Sequence, residues 1–156
     1  MSFGPGACIH LPHEQTNKYS YKGNDWYHVD QHYRDKGFKC VQGIVNLYDV
    51  NKGDATLTCW PGSHKYHSEF GDHFDLSSKK DTSYSLLHTN KDPAKTDWLL
   101  GKGLKPVSVL AKAGDLILFD SRTLHQGSQS MKGREEENFR AAVYVSYLPR
   151  SKSVTE

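Results

Sequence analysis

His28-Val29-Asp30 lies early in the chain, inside Trp26-Tyr27-His28-Val29-Asp30-Gln31, and His125 lies late, inside Leu124-His125-Gln126-Gly127. Two imidazoles and one carboxylate on one face of a metal leave the other face open, which suits non-haem Fe(II). In an extended chain residues i and i+2 share a face, so an HxD triplet can grip one ion only on or beside a strand. Residues 26–33 have that aromatic, strand-like character and are predicted to be a strand. The triplet alone is weak evidence, because His73-Phe74-Asp75 and His67-Ser68-Glu69 also occur. Those two fall in a polar stretch where no strand is expected, so context favours His28 and Asp30. The third ligand must come from another strand. His125 follows an apolar segment ending at Phe119-Asp120, although His10, His13, His32, His64, His67 and His88 compete in principle.

Arg140 carries a separate argument. It interrupts the apolar segment Phe139-Arg140-Ala141-Ala142-Val143-Tyr144-Val145. A charge in such a strand is costly unless paired. Alternation puts Arg140, Ala142, Tyr144 and Ser146 on one face. A planar guanidinium there could clamp the carboxylate of an acidic cosubstrate.

The elements that must position these groups read mostly as short strands. Residues 7–11 form one, stopped by Pro12, and residues 39–50 form a long central one. Asn51-Lys52-Gly53-Asp54 is a turn signal, and residues 55–60 read as the returning strand of a hairpin. Residues 106–111, 115–120 and 139–148 complete the strands. Asp92-Pro93 predicts a helix start, with the helix running to about Leu100. A polar stretch rich in His, Asp, Ser and Lys makes about 65–104 a lid-like insertion. No repeat or linker divides the chain, so 1–156 is expected to be one mainly β domain, a small barrel or jelly roll with one or two short helices.

Composition narrows the function. The net charge is +2, too small to imply nucleic acid, and no Lys/Arg cluster stands out. No apolar run approaches the roughly 20 residues that span a membrane. Cys8, Cys40 and Cys59 form no CxxC pair and cannot all be bridged within one chain. Reduced thiols and the lack of a charged-then-apolar leader fit a cytoplasmic protein.

In order and spacing these residues resemble the phytanoyl-CoA dioxygenase family of Fe(II)- and 2-oxoglutarate-dependent oxygenases. The resemblance rests on His28-Val29-Asp30-Gln31, on Asp54-Ala55-Thr56-Leu57-Thr58-Cys59-Trp60 running into Pro61-Gly62-Ser63-His64, and on Lys112-Ala113-Gly114-Asp115-Leu116-Ile117-Leu118-Phe119-Asp120. Leu124-His125-Gln126-Gly127 and Phe139-Arg140-Ala141-Ala142 complete it. It implies a double-stranded β-helix of cupin-like, jelly-roll type, with Fe(II) on His28, Asp30 and His125. It further implies 2-oxoglutarate and O2 as cosubstrates, Arg140 on the distal carboxylate, and Gln42, Ile44 and Asn46 pointing inward, Gln42 and Asn46 toward the cosubstrate. Tyr27, Trp60 and His64 are candidate substrate-lining residues. Because family members that halogenate lack the metal carboxylate, Asp30 favours hydroxylation of a small organic substrate.

Two departures from the family pattern matter. The family carries a longer N-terminal region backing its larger sheet, whereas only about 25 residues precede His28. Val41, Val45 and Leu47 on the outward face are then expected to be thinly covered, inviting a homodimer or another partner. The His125-to-Arg140 spacing is also longer than usual, which makes Arg134 a minor competitor for the clamp. Two other readings stay open: a cupin-type metal-binding barrel without oxygenase activity, and a non-catalytic interaction domain.

Overall fold

The computed structural model describes residues 6–15, 25–78 and 87–149. In chain order the strands are β1 (Gly6–His10), β2 (Val41–Asn46), β3 (Thr56–Cys59), β4 (Val107–Ser108), β5 (Leu116–Asp120), β6 (His125–Ser128) and β7 (Arg140–Tyr147). Two helices, α1 (His67–His73) and α2 (Pro93–Gly101), fall between β3 and β4. The strands form two antiparallel sheets, one ordered β1-β7-β2-β5 and the other β4-β3-β6. This is the double-stranded β-helix expected from the sequence. No helix among the described residues is long and apolar enough to cross a membrane.

Alternation on the larger sheet sets its two faces. Gln42, Ile44 and Asn46 of β2 are buried inside, and they pair with Phe119 and Ile117 of β5 and with Ser146, Tyr144 and Ala142 of β7. The outward face is apolar and open, with Leu116 46%, Leu118 53% and Tyr147 52% exposed. Val41 and Val45 are half-buried, while Leu47 is exposed.

The predicted hairpin at 39–60 is corrected, because β2 and β3 belong to different sheets. The turn at residues 51–54 does form, with the Asp54 amide donating to the Asn51 carbonyl at 3.1 Å and the Asn51 amide to Asp54 Oδ2 at 2.8 Å. It carries the chain across the barrel instead of folding it back. The strand at 26–33 is likewise reduced to single bridges at Tyr27 and His28. The strand at 106–111 shortens to β4 plus a bridge between Val50 and Ala111.

Of the lid-like insertion expected at about 65–104, residues 79–86 lie outside the described residues. A 3₁₀ turn (Ser63–Tyr66), α1 and α2 pack onto an aromatic core containing Tyr27, Tyr33, Trp60, Phe70, Leu87, Leu99 and Leu124. His67 stacks on Tyr33 at 4.6 Å, and its Nε2 lies 3.0 Å from the Gln31 carbonyl. Gly71 lets the helix approach, since a Cβ there would fall 2.7 Å from Tyr33 Cβ. α2 follows the predicted Asp92-Pro93 start. The segment contributes Phe70, Leu76, Leu87 and Leu99 to that core.

Candidate metal centre

His28 and His125 face each other across an antiparallel bridge. The His28 amide donates to the His125 carbonyl at 2.8 Å, and the His125 amide returns the bond to the His28 carbonyl at 2.9 Å. Asp30 follows, with its amide bonded to the Ser121 carbonyl at 3.0 Å. The short stretch 26–30 is thus extended and pinned to the segment before β6, although it is not a full strand. Ser121 Oγ also donates to Gln31 Oε1 at 2.9 Å, and Gln31 Nε2 reaches the Asp35 carbonyl at 2.6 Å and the Gly37 carbonyl at 2.7 Å. That network fixes the chain just beyond the HxD triplet.

The three side chains converge. His28 Nε2 lies 3.4 Å from Asp30 Oδ1, and His125 Nε2 lies 3.3 Å from Asp30 Oδ2. One ligand atom from each residue falls within 4.8 Å of the others. Each ring is turned the same way by its other nitrogen: His28 Nδ1 is 3.2 Å from the Trp26 carbonyl, and His125 Nδ1 is 2.9 Å from the Thr123 carbonyl. A carbonyl accepts only, so Nδ1 carries the proton and Nε2 keeps its lone pair for a metal. Stacking supports both rings, Trp26 on His28 at 4.7 Å and Phe119 against His125 at 4.7 Å.

Electrostatics favour the ligand forms of these groups. Burial, reinforced by the His28 charge, lowers His125 to about 4 against the opposing pull of Asp30. Its imidazole is neutral at ordinary pH. Burial pushes Asp30 up, but its neighbours His28, His125 and Gln42 together outweigh that push and leave the carboxyl below its usual range. Gln42 therefore supports the Asp30 carboxylate as well as facing the cavity.

The triad opens into a cavity of about 550 Å³. Its described walls include Gln42, Ile44, Leu57, Phe119, Tyr144 and Ser146, with Arg140 toward the end of β7 away from Ser146. Arg140 is 3% exposed, its Nε has no hydrogen-bond partner, and it forms no ion pair among the described residues. Arg134, the competitor for the clamp, is already occupied. Its Nη1 bonds Asp54 Oδ1 at 2.6 Å, and its Nε and Nη2 bond the Glu14 carboxylate at 2.9 and 2.8 Å. A buried guanidinium with an unused donor, facing a cavity that also holds two imidazoles and a carboxylate, fits a carboxylate ligand beside a metal.

Other expected site residues fall elsewhere. Tyr27 and Trp60 are 5% and 1% exposed and meet edge to face in the aromatic core, so they do not line the cavity. Alternation explains Tyr27: next to His28 in extended chain, it must point the other way. His64 lies in the 3₁₀ turn and is not part of the cavity wall. Asn46 is 2% exposed inside the barrel but outside the cavity wall. It lies about 13 Å along β2 from Gln42. His73-Phe74-Asp75 falls at the end of α1, where i and i+2 diverge. Reading the sequence also missed Trp26, His10 and Phe119 as cavity residues. The signal for Trp26 was present, since alternation places it with His28 and Asp30.

Known proteins share this fold. "Ava biosynthesis cluster protein O" of Aspergillus versicolor is 27% identical over 150 residues, covering 93% of this chain and 45% of that protein. The chain therefore spans less than half the length of this curated relative. The crystal structure of EvdMO1 superposes with a TM-score of 0.56 at 16% identity, covering 94% of this chain and 26% of that one. The apoform of EctD from S. alaskensis gives 0.53 at 17% identity, covering 92% and 43%. At those identities the likeness is one of fold. The phytanoyl-CoA dioxygenase (PhyH) family matches residues 7–135, a stretch that includes His28, Asp30 and His125, and the chain belongs to that family.

Proposed function

We propose that this chain is an Fe(II)- and 2-oxoglutarate-dependent oxygenase that hydroxylates a small organic substrate. His28, Asp30 and His125 hold the metal, and Arg140 takes the distal carboxylate of 2-oxoglutarate. The observation that carries this reading is buried Arg140, with an unused Nε and no ion pair among the described residues, sharing one cavity with His28, Asp30 and His125. A barrel that only stored metal would have no use for that arginine.

When bound, ferrous iron supplies the chemistry by which O2 and 2-oxoglutarate become succinate, CO2 and one hydroxyl oxygen on the substrate. The chain's own residues bind, orient and exclude water. Backbone carbonyls of Trp26 and Thr123 hold the two Nδ1 protons, so both imidazoles offer Nε2. Gln42 steadies Asp30. Arg140 offers a planar fork that selects a dicarboxylate by its far end. Ile44, Leu57 and Phe119 line the walls with apolar surface, which keeps water from the reacting face.

The test is anaerobic visible absorption of the protein with Fe(II), with and without 2-oxoglutarate. A weak charge-transfer band that needs both additions, and that His125→Ala and Arg140→Ala each abolish, is the expected result. If folded, metal-loaded protein gives no such band, the oxygenase reading fails and a metal-binding barrel takes its place.

A further inference from the structure

Trp26 touches both halves of the candidate site. Its ring lies flat on His28, with centroids 4.7 Å apart and planes 11° apart. Its indole N–H donates to the Gly127 carbonyl at 3.0 Å. Gly127 is also where the indole and the guanidinium come together: a Cβ built there would lie 3.6 Å from Trp26 Cζ2 and 3.8 Å from Arg140 Nη1. Two further bonds use the main chain of Trp26, whose amide donates to Gln126 Oε1 at 2.7 Å and whose carbonyl faces His28 Nδ1 at 3.2 Å. The indole thus links a proposed metal ligand, strand β6 just after His125, and Arg140.

We infer that Trp26 is a positioning residue that joins the metal face to the Arg140 clamp through Gly127, so that metal and dicarboxylate bind cooperatively. The inference rests on the oxygenase reading. A ring stacked on His28 restricts rotation of the imidazole about its side-chain bonds, while the indole N–H fixes the Gly127 backbone against which Arg140 lies. Loss of the ring frees both, and loss of the N–H alone frees only the second. Removing groups that orient metal ligands typically costs about 10- to 100-fold in affinity.

Co(II), a stand-in for Fe(II) that is stable in air, and 2-oxoglutarate serve as probes, each titrated in the presence and absence of the other. Trp60 and Trp98 are the remaining tryptophans and supply the background emission. In the native protein Co(II) should quench the emission of Trp26. Trp26→Phe should abolish most of that quenching, keep Co(II) affinity within about threefold, and weaken 2-oxoglutarate at saturating Co(II) by about tenfold. Trp26→Ala should weaken both ligands by about tenfold or more. The coupling between the ligands, read as the ratio of 2-oxoglutarate affinities with and without Co(II), should shrink in both variants. If Trp26→Phe binds 2-oxoglutarate as the native protein does, with the same coupling, Trp26 is packing only and the inference is overturned. Should Trp26→Ala fail to fold, the Phe variant alone decides. Native protein that binds Co(II) but never 2-oxoglutarate would sink the oxygenase reading itself, a different outcome from native binding that the variant preserves.

Discussion

Arg134 and Arg140 are six positions apart and both are nearly withdrawn from solvent, yet they end in opposite states. Arg134 is saturated: Asp54 and the Glu14 carboxylate take its donors, and Asn138 Nδ2 adds a bond of 2.7 Å to Asp54 Oδ2. It ties the segment after β1 to the turn that carries the chain between sheets. Arg140 keeps a donor unused and faces a cavity. A buried charge without a partner lowers stability, whereas a buried pair costs most when one member is lost. The difference separates an arginine whose donors are spent on the fold from one that, on the proposed reading, is kept for a ligand.

The sharpest way to break this comparison is to remove the waiting charge. Arg140→Met should reduce 2-oxoglutarate affinity by about 2–5 kcal/mol, the range for truncating one member of a desolvated charge pair. The same change should leave the urea midpoint equal to or above that of the native protein, since it removes a buried charge that has no ion pair among the described residues. Calorimetry with Co(II)-loaded protein measures the first effect and urea unfolding the second. A lowered midpoint with intact 2-oxoglutarate binding would reverse the assignment.

Arg134→Met should do the opposite. It leaves Oδ1 of Asp54, a residue 8% exposed, without its cation, and should cost about 2 kcal/mol in urea unfolding while 2-oxoglutarate affinity holds. A smaller effect appears in acid. A hydrogen bond from Arg134 draws Glu14 from an ordinary 4.5 down to about 2, against a small opposing pull from burial. A depressed carboxylate contributes stability above its unfolded value and loses it as pH falls toward its folded value. The native protein should therefore weaken between about pH 4.5 and 2 through this pair. Arg134→Met should flatten that part of the curve relative to the native protein. Parallel acid titrations by circular dichroism would show whether the slopes differ.

Both arginines were noticed in the sequence, but only one could be judged there. An apolar strand around Arg140 flags a charge out of place. Arg134 sits among Gly133 and three glutamates, in what reads as a solvated loop. Its true partners, Glu14 and Asp54, are distant in sequence and become visible only in three dimensions. The same limit explains the mistaken hairpin. β2 and β3 alternate as strands should, but alternation says which residues point inward and nothing about which strand lies beside them. α1 was missed because its spaced aromatics, Phe70 and Phe74, are surrounded by polar residues that look like a loop. By contrast the HxD triplet, α2, β5 and β7 were legible, since each depends on local pattern: shared faces, a capped proline, or an unbroken apolar run.

The bridge between His28 and His125 has a consequence for the chain as a polymer. His28 and His125 are 97 positions apart and already exchange two backbone hydrogen bonds. An ion gripping both would act as a removable staple across most of the protein, closing one very long loop that the unfolded chain would otherwise sample freely. Loading the metal should then slow opening of the whole barrel, and amide exchange at the bridge should track metal concentration even when cosubstrate and substrate are absent.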